Sequence, residues 1–177
     1  MKRILLLCSL LFFCTAGFST YLSSLEVELP NDVQKYIDDH LNVAIRESKK
    51  YNIPIAIKLS QGMLESQFGK SYLAKNANNH FGIKWKGEGK YVVYADDKPN
   101  DRFKFYSDVD QSWQDHSNLL TKPRYNHLRS LSKFNYESWA YGLKSAGYAT
   151  DPNYAQKLIS IIEKYKLWRY DINPLNW

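Results

Sequence analysis

The sequence predicts an α+β domain of two lobes, a mainly helical one and a small antiparallel β-hairpin lobe, with a cleft between them. Three observations carry that reading. Apolar residues recur at helical spacing from Val33 to Phe68, alternation of period two takes over near residue 80, and helical spacing returns from Ser107 to Tyr165. No internal repeat or low-complexity tract interrupts the order, and 177 residues suffice for one domain of ordinary size.

The first helix begins at Asn31 or Asp32, either of which can cap it, and carries Val33, Ile37, Leu41 and Ile45 on one face. Tyr51-Asn52-Ile53 breaks it, and Pro54 stands where a second helix opens. That helix, about 54–68, bears Ile55, Ile57, Leu59, Met63, Leu64 and Phe68, with Gly69 to end it. These side chains cover more than half its circumference, so it is a mostly buried helix with a narrow polar strip of Lys58, Gln61, Gly62 and Glu65.

Phe81, Ile83 and Trp85 then alternate with Gly82, Lys84 and Lys86, the pattern of a half-buried strand. Gly87-Glu88-Gly89 and the run 96–101 read as turns, and they flank Tyr91 to Ala95, which is rich in Val and Tyr. With Phe103 and Phe105 alternating beyond them, three short strands at about 81–106 make the β lobe. Ser107 and Asp110 fit a capping box ahead of Val109, Trp113, His116 and Leu120. A loop from Lys122 to Leu128 follows, then a helix over about 136–146 that stops at Gly147. The last helix has Thr150 or Asp151 as cap and Pro152 at its first position.

Residues 1–16 read as a secretory signal peptide: Lys2 and Arg3, an apolar run from Ile4 to Phe13, and small residues after Cys14. The run is too short for a stable membrane span, which needs roughly 20 apolar residues. Phe12 and Phe13 are bulky where a lipoprotein anchor at Cys14 would want small side chains. A secreted or periplasmic protein is therefore expected, with a polar lead at 17–30, the domain at 31–172 and a tail at 173–177. Both cysteines, Cys8 and Cys14, fall in the leader, which leaves no disulfide, thiol nucleophile or cysteine metal site after cleavage.

Composition excludes a disordered tail, a collagen-like repeat and a polytopic membrane protein, since hydrophobic residues make up 44% and charged residues 24%. The formal net charge of +6 is spread along the chain, so it suits an anionic polymer or surface and argues weakly for nucleic acid. There is no paired-histidine metal helix, phosphate loop or nucleophile elbow. The four histidines (His40, His80, His116, His127) are scattered and read as structural or solvated. No metal or cofactor is implied.

Glu65 is the residue with chemical promise. It sits near the C-terminal end of a mostly buried helix beside Leu64 and Phe68. Burial and the negative end of the helix dipole both raise a carboxyl pKa, as a general acid requires. Gly62, one turn back, suggests open space for a ligand. The plain alternative is a solvated glutamate on the polar strip.

A resemblance bears on that choice. The stretch Leu59-Ser60-Gln61-Gly62-Met63-Leu64-Glu65-Ser66-Gln67-Phe68-Gly69-Lys70-Ser71 resembles the glutamate motif of the glucosaminidase domain, glycoside hydrolase family 73. That family includes bacterial autolysins and the hydrolase domain of the flagellar rod-cap protein. Three further blocks match in order: Lys75 to Lys84, Arg102 to Tyr106, and Gly147-Tyr148-Ala149-Thr150-Asp151-Pro152-Asn153-Tyr154-Ala155. The likeness spans about residues 33–171.

The resemblance implies a lysozyme-like fold and hydrolysis of the β-1,4 bond after N-acetylglucosamine in peptidoglycan, by a monomer acting on glycan strands. It places Glu65 as the general acid. The family's second acid comes from the β lobe, where many relatives carry a glutamate before a tyrosine. This chain departs from that pattern with Tyr94-Ala95-Asp96-Asp97, so Asp96 is the implied base, with Asp97 close behind and a plain turn pair as the alternative. Tyr148 matches a tyrosine that positions the acetamido group or the water. Phe81, Trp85, Tyr125, Tyr148 and Tyr154 are candidates to line the groove and stack on sugars, although Trp85 fits the core equally. Asn79 reads as holding a turn. Carboxyl groups about 6.5–9.5 Å apart would invert the anomeric centre and about 5–5.5 Å would retain it. Attack by the substrate's own acetamido oxygen is a third route. Two other functions stay open: a non-catalytic wall-binding module, and a muramidase cutting on the muramic-acid side.

Overall fold

A computed structural model describes residues 29–96 and 98–172. The leader expected at 1–16, most of the polar lead, Asp97 and the tail lie outside the described residues. Helix α1 runs Asn31–Tyr51 and α2 runs Ile55–Ser66. Helix α1 follows Pro30 directly, carries Asp32 in its first turn and Lys49 and Lys50 in its last, and closes on left-handed Asn52. The charges complement the helix dipole at both ends.

Helix α2 is the axis of the molecule. Ten of its twelve residues are buried, and α1, α5 (Tyr136–Ser145), α6 (Tyr154–Lys164) and α7 (Arg169–Ile172) all pack against it. Burying each of Ile57, Leu59 and Met63 contributes about 1.5–3 kcal/mol, which fixes the helix among its neighbours. Its N-terminus is capped from far along the chain. The Asp171 carboxylate accepts from Ile55 N at 2.6 Å and Ala56 N at 3.1 Å, two donors that the first turn leaves unpaired. At the other end the helix stops at Ser66, two residues before the stretch read from the pattern, because Gln67 and Phe68 both take left-handed conformations. Helix α3, Tyr72–Ala77, follows under a Ser71 cap and has no counterpart in the periodicity.

The β lobe holds two strands rather than three. Strands β1 (Tyr91–Tyr94) and β2 (Asp101–Lys104) pair antiparallel, Val92 opposite Phe103. The first expected strand is reduced to an isolated bridge between Lys84 and Phe103. Two causes are visible. Gly82 has φ +59°, which breaks an extended run. The Asn79 side chain donates to Ile83 O and Lys104 O and accepts from Ile83 N, so it takes the place of ladder bonds. Asn79 thus holds a turn, as read.

Helix α4 covers Val109–Leu119. Its cap is Asp108, one residue later than the capping box predicts: Asp108 Oδ1 accepts from Gln111 N while Gln111 Oε1 accepts from Ser107 N. The expected loop after it is a 3-10 helix, Pro123–Ser130. Helix α5 is capped by Asn135 and α6 begins at Tyr154, two residues after Pro152. Among the described residues no helix is long and apolar enough to cross a membrane.

Candidate active site

A cavity of about 810 Å³ opens between the lobes. Its walls come from the end of α2, the start of α3, the hairpin, α4 and the 3-10 segment. Of the residues singled out from the sequence, Glu65, Asp96, Tyr148, Phe81 and Tyr125 line it. Trp85 and Tyr154 do not.

Glu65 occupies the last turn of α2, half-buried at the cavity wall. Tyr154 donates its hydroxyl to Glu65 Oε1 at 2.9 Å, and Gln61 Nε2 donates to the Tyr154 oxygen at 2.9 Å. Gln61 precedes Glu65 by four residues, so one helix face presents both. Burial pushes the Glu65 carboxyl above its ordinary pKa, and the Tyr154 hydrogen bond pulls partly against that. Tyr154 is 3% exposed, shut in beneath Tyr148, whose ring stacks on it at 5.4 Å. It therefore meets the carboxyl group and not a sugar face. The Tyr148 phenol is held well above its usual pKa by burial first and the nearby Glu65 charge second.

The polar strip of α2 does not face water. Lys58 and Gln61 are fully buried. Lys58 Nζ reaches Trp113 O at 2.8 Å, His116 Nδ1 at 2.8 Å and Ser117 Oγ at 2.9 Å, and burial holds its pKa well below that of a free amine. Phe81 stacks on His116 at 4.0 Å, which ties the cavity floor to this cluster. Nor does Gly62 leave room for a ligand. A Cβ there would lie 2.7 Å from Tyr36 Oη and 3.1 Å from the Trp113 ring, so glycine serves the close packing of α1 and α4 on α2.

Asp96 is exposed on the opposite wall, in the hairpin turn. Lys84 Nζ holds it at 2.8 Å and also holds Asp101 at 2.7 Å. Burial alone would lower the Lys84 pKa, but its hydrogen bonds to Asp101 and Asp96 raise it. Trp85 turns the other way. Its indole donates to Gly89 O at 3.0 Å and packs against Tyr91 at 4.8 Å with Arg102 over both rings, while Ile83, Lys84 and Lys86 around it line the cavity.

Sequence reading treated Gln61 only as part of a strip and passed over Lys84, Asp115 and the cations Lys86, Lys122 and Arg124, all of which the fold brings to the cavity or behind it. The spacing of Gln61 from Glu65 was the one local signal available. Among the described residues no cluster of three or more His, Cys, Asp or Glu is placed to hold a metal ion.

A family model described as mannosyl-glycoprotein endo-beta-N-acetylglucosaminidase, the glucosaminidase family, matches residues 41–167. The exo-glucosaminidase LytG of Bacillus subtilis is 32% identical across 98% of this chain and 70% of its own length. The peptidoglycan hydrolase FlgJ of Escherichia coli is 30% identical over 78% of this chain, which spans only 48% of that protein. Among solved structures, the catalytic domain of the autolysin Auto from Listeria monocytogenes superposes with a TM-score of 0.70 at 30% identity, covering 88% of this chain and 97% of that one.

Proposed function

The chain belongs to the glucosaminidase family of glycoside hydrolases, with that family's lysozyme-like fold, and from this premise we propose that it is a peptidoglycan endo-β-N-acetylglucosaminidase with Glu65 as general acid. The observation that carries the reading is the placement of Glu65. It is a carboxyl group whose burial favours the protonated form, held by Tyr154 and Gln61 at the wall of a cavity of sugar size. Tyr154 occupies Oε1 as donor, so the transferable proton sits on Oε2 and passes to the leaving glycosidic oxygen.

Asp96, in the β lobe, lines the same cavity as Glu65 and is the proposed base for the attacking water. Its engagement by Lys84 supports a second reading of the same reaction, in which the substrate's own acetamido oxygen attacks and Tyr148 orients that group. Phe81 and Tyr125, expected as sugar platforms, edge the cavity but at 5% and 0% exposure offer no open ring face, so they shape its wall as packing. Peptidoglycan lies outside the cytoplasm, so the leader read at residues 1–16 fits this function.

Zymography on purified cell walls, wild type beside Glu65→Gln, tests the acid. Loss of at least about 10²-fold in rate is expected for one general acid, and a variant with near-full activity would remove Glu65 from the mechanism. Mass spectrometry of the released reducing ends tests the bond. N-acetylglucosamine ends are expected, whereas muramic-acid ends would make the protein a muramidase.

A further inference from the structure

We propose that Lys86, Lys122 and Arg124 form a carboxylate-binding subsite of the cleft, which takes the acidic side groups of a peptidoglycan strand. The inference rests on the reading of the cleft as a peptidoglycan site and adds which feature of that polymer it recognises. Lys86 lies in the β lobe between the Lys84 bridge and β1, Lys122 caps the 3-10 helix of the helical lobe, Arg124 lies within that helix, and all three line one cavity. Burial, and then the charges of Lys86 and Arg124, depress the Lys122 pKa, the mark of cations brought together. Arg124 lies over the Tyr125 ring at 4.7 Å, which sets the plane of its guanidinium.

The cleft's acids do not neutralise this group. Asp115, the carboxylate that acts on Lys122, already accepts from Lys104 Nζ at 2.7 Å and Tyr106 Oη at 2.7 Å. Asp96 is held by Lys84. Three cations are left against Glu65 and Glu88, and Glu65 is the group proposed to carry a proton. Like charges gathered in a cavity repel, and an anionic ligand would relieve that repulsion. Peptidoglycan carries carboxylates on its stem peptides and, wherever a stem is missing, on the lactyl group of muramic acid, and the guanidinium and ammonium donors suit either.

The test is steady-state kinetics of the full chain and the triple variant Lys86→Gln/Lys122→Gln/Arg124→Gln on three substrates. These are intact peptidoglycan stripped of accessory polymers, strands freed of stem peptides by an amidase, and peptidoglycan with its carboxyl groups amidated. On intact peptidoglycan the variant should raise KM by about tenfold with kcat within about twofold, and added salt should raise KM for the wild type more than for the variant. On amidated substrate the two proteins should behave alike. Amidase treatment frees the lactyl carboxylates, so a penalty that persists on stem-free strands shows that the subsite also takes that group, and one that vanishes there confines it to the stems. An unchanged KM on intact peptidoglycan, or an equal penalty on amidated substrate, overturns the subsite while leaving Glu65 chemistry intact. A wild type inactive on all three overturns the hydrolase reading itself.

Discussion

Tyr154 and Glu65 are joined by a 2.9 Å hydrogen bond in which the phenol is the donor. Its direction is set by a third residue. A tyrosine hydroxyl has one proton, and the Tyr154 oxygen already accepts from Gln61 Nε2 at 2.9 Å, so the proton points to Glu65. The bond stabilises the carboxylate and restrains a pKa that burial alone would push higher.

Tyr154→Phe should therefore move the alkaline limb of kcat/KM upward, by about one pH unit, since removing the donor disfavours the charged form. The sign follows from the role: a general acid works while protonated, so activity falls as pH rises through its pKa. The maximal rate should drop at the same time because the carboxyl group loses its orientation. A profile that keeps its limb in place, or moves it downward, would show that Tyr154 does not tune Glu65.

Gly62→Ala reads the packing of the catalytic helix. In an open helix the change would stabilise by about 1 kcal/mol. Here the new Cβ meets Tyr36 Oη at 2.7 Å, and that hydroxyl is engaged with His80 Nδ1 at 3.1 Å. The Trp113 ring behind it is fully buried and has nowhere to shift. Overpacking should win, with a net loss of about 1–3 kcal/mol in a urea titration. A more stable variant would mean that the helix faces a looser neighbour.

What the sequence made legible is the local part of this architecture. The four-residue spacing from Val33 to Ile45 and the apolar girth of the 55–66 helix follow from periodicity, and both lie where the pattern puts them. Glu65 stood out because its neighbours are apolar, a property of adjacent residues. The parts that escaped are those decided by other segments. Periodicity identifies a polar strip but not what covers it, and Lys58 is enclosed by the carbonyl and side chains of α4. Alternation at 83–86 predicts two faces, yet Ile83, Lys84 and Lys86 all line the cleft and Trp85 alone of the four does not, so periodicity could not place it. Gly62 read as space because the tyrosine that fills it comes from α1.

Asp171→Ala tests a contact of that non-local kind. The carboxylate caps α2 from more than a hundred residues away, closing two backbone donors of the helix that bears Glu65. Its loss should lower stability by about 1–2 kcal/mol, as for a helix cap. The urea midpoint should fall with an unchanged slope. Stability equal to wild type would show that solvent satisfies Ile55 N and Ala56 N as well as the side chain does.

Three histidines should make the fold acid-sensitive. His40, His80 and His116 meet around Trp113 and Phe81, with His40 and His80 ring centroids 4.8 Å apart. Burial depresses the pKa of each, and the His80 imidazole falls to about 4. The folded protein keeps these rings neutral while the unfolded chain takes up protons from about pH 6.5 downward. Their contribution is complete above that value and is lost as pH falls toward 4, by roughly 3 kcal/mol for His80 alone. Asp171, pushed up to about 6 by burial, and Glu65 work in the opposite sense, so the raw pH dependence mixes both. His80→Asn separates them, because the two acids are common to both proteins and asparagine retains an acceptor for Tyr36. The stability advantage of the wild type over that variant should shrink between pH 6.5 and 4. An advantage that stays constant across the interval would mean that His80 titrates as it does in the unfolded chain.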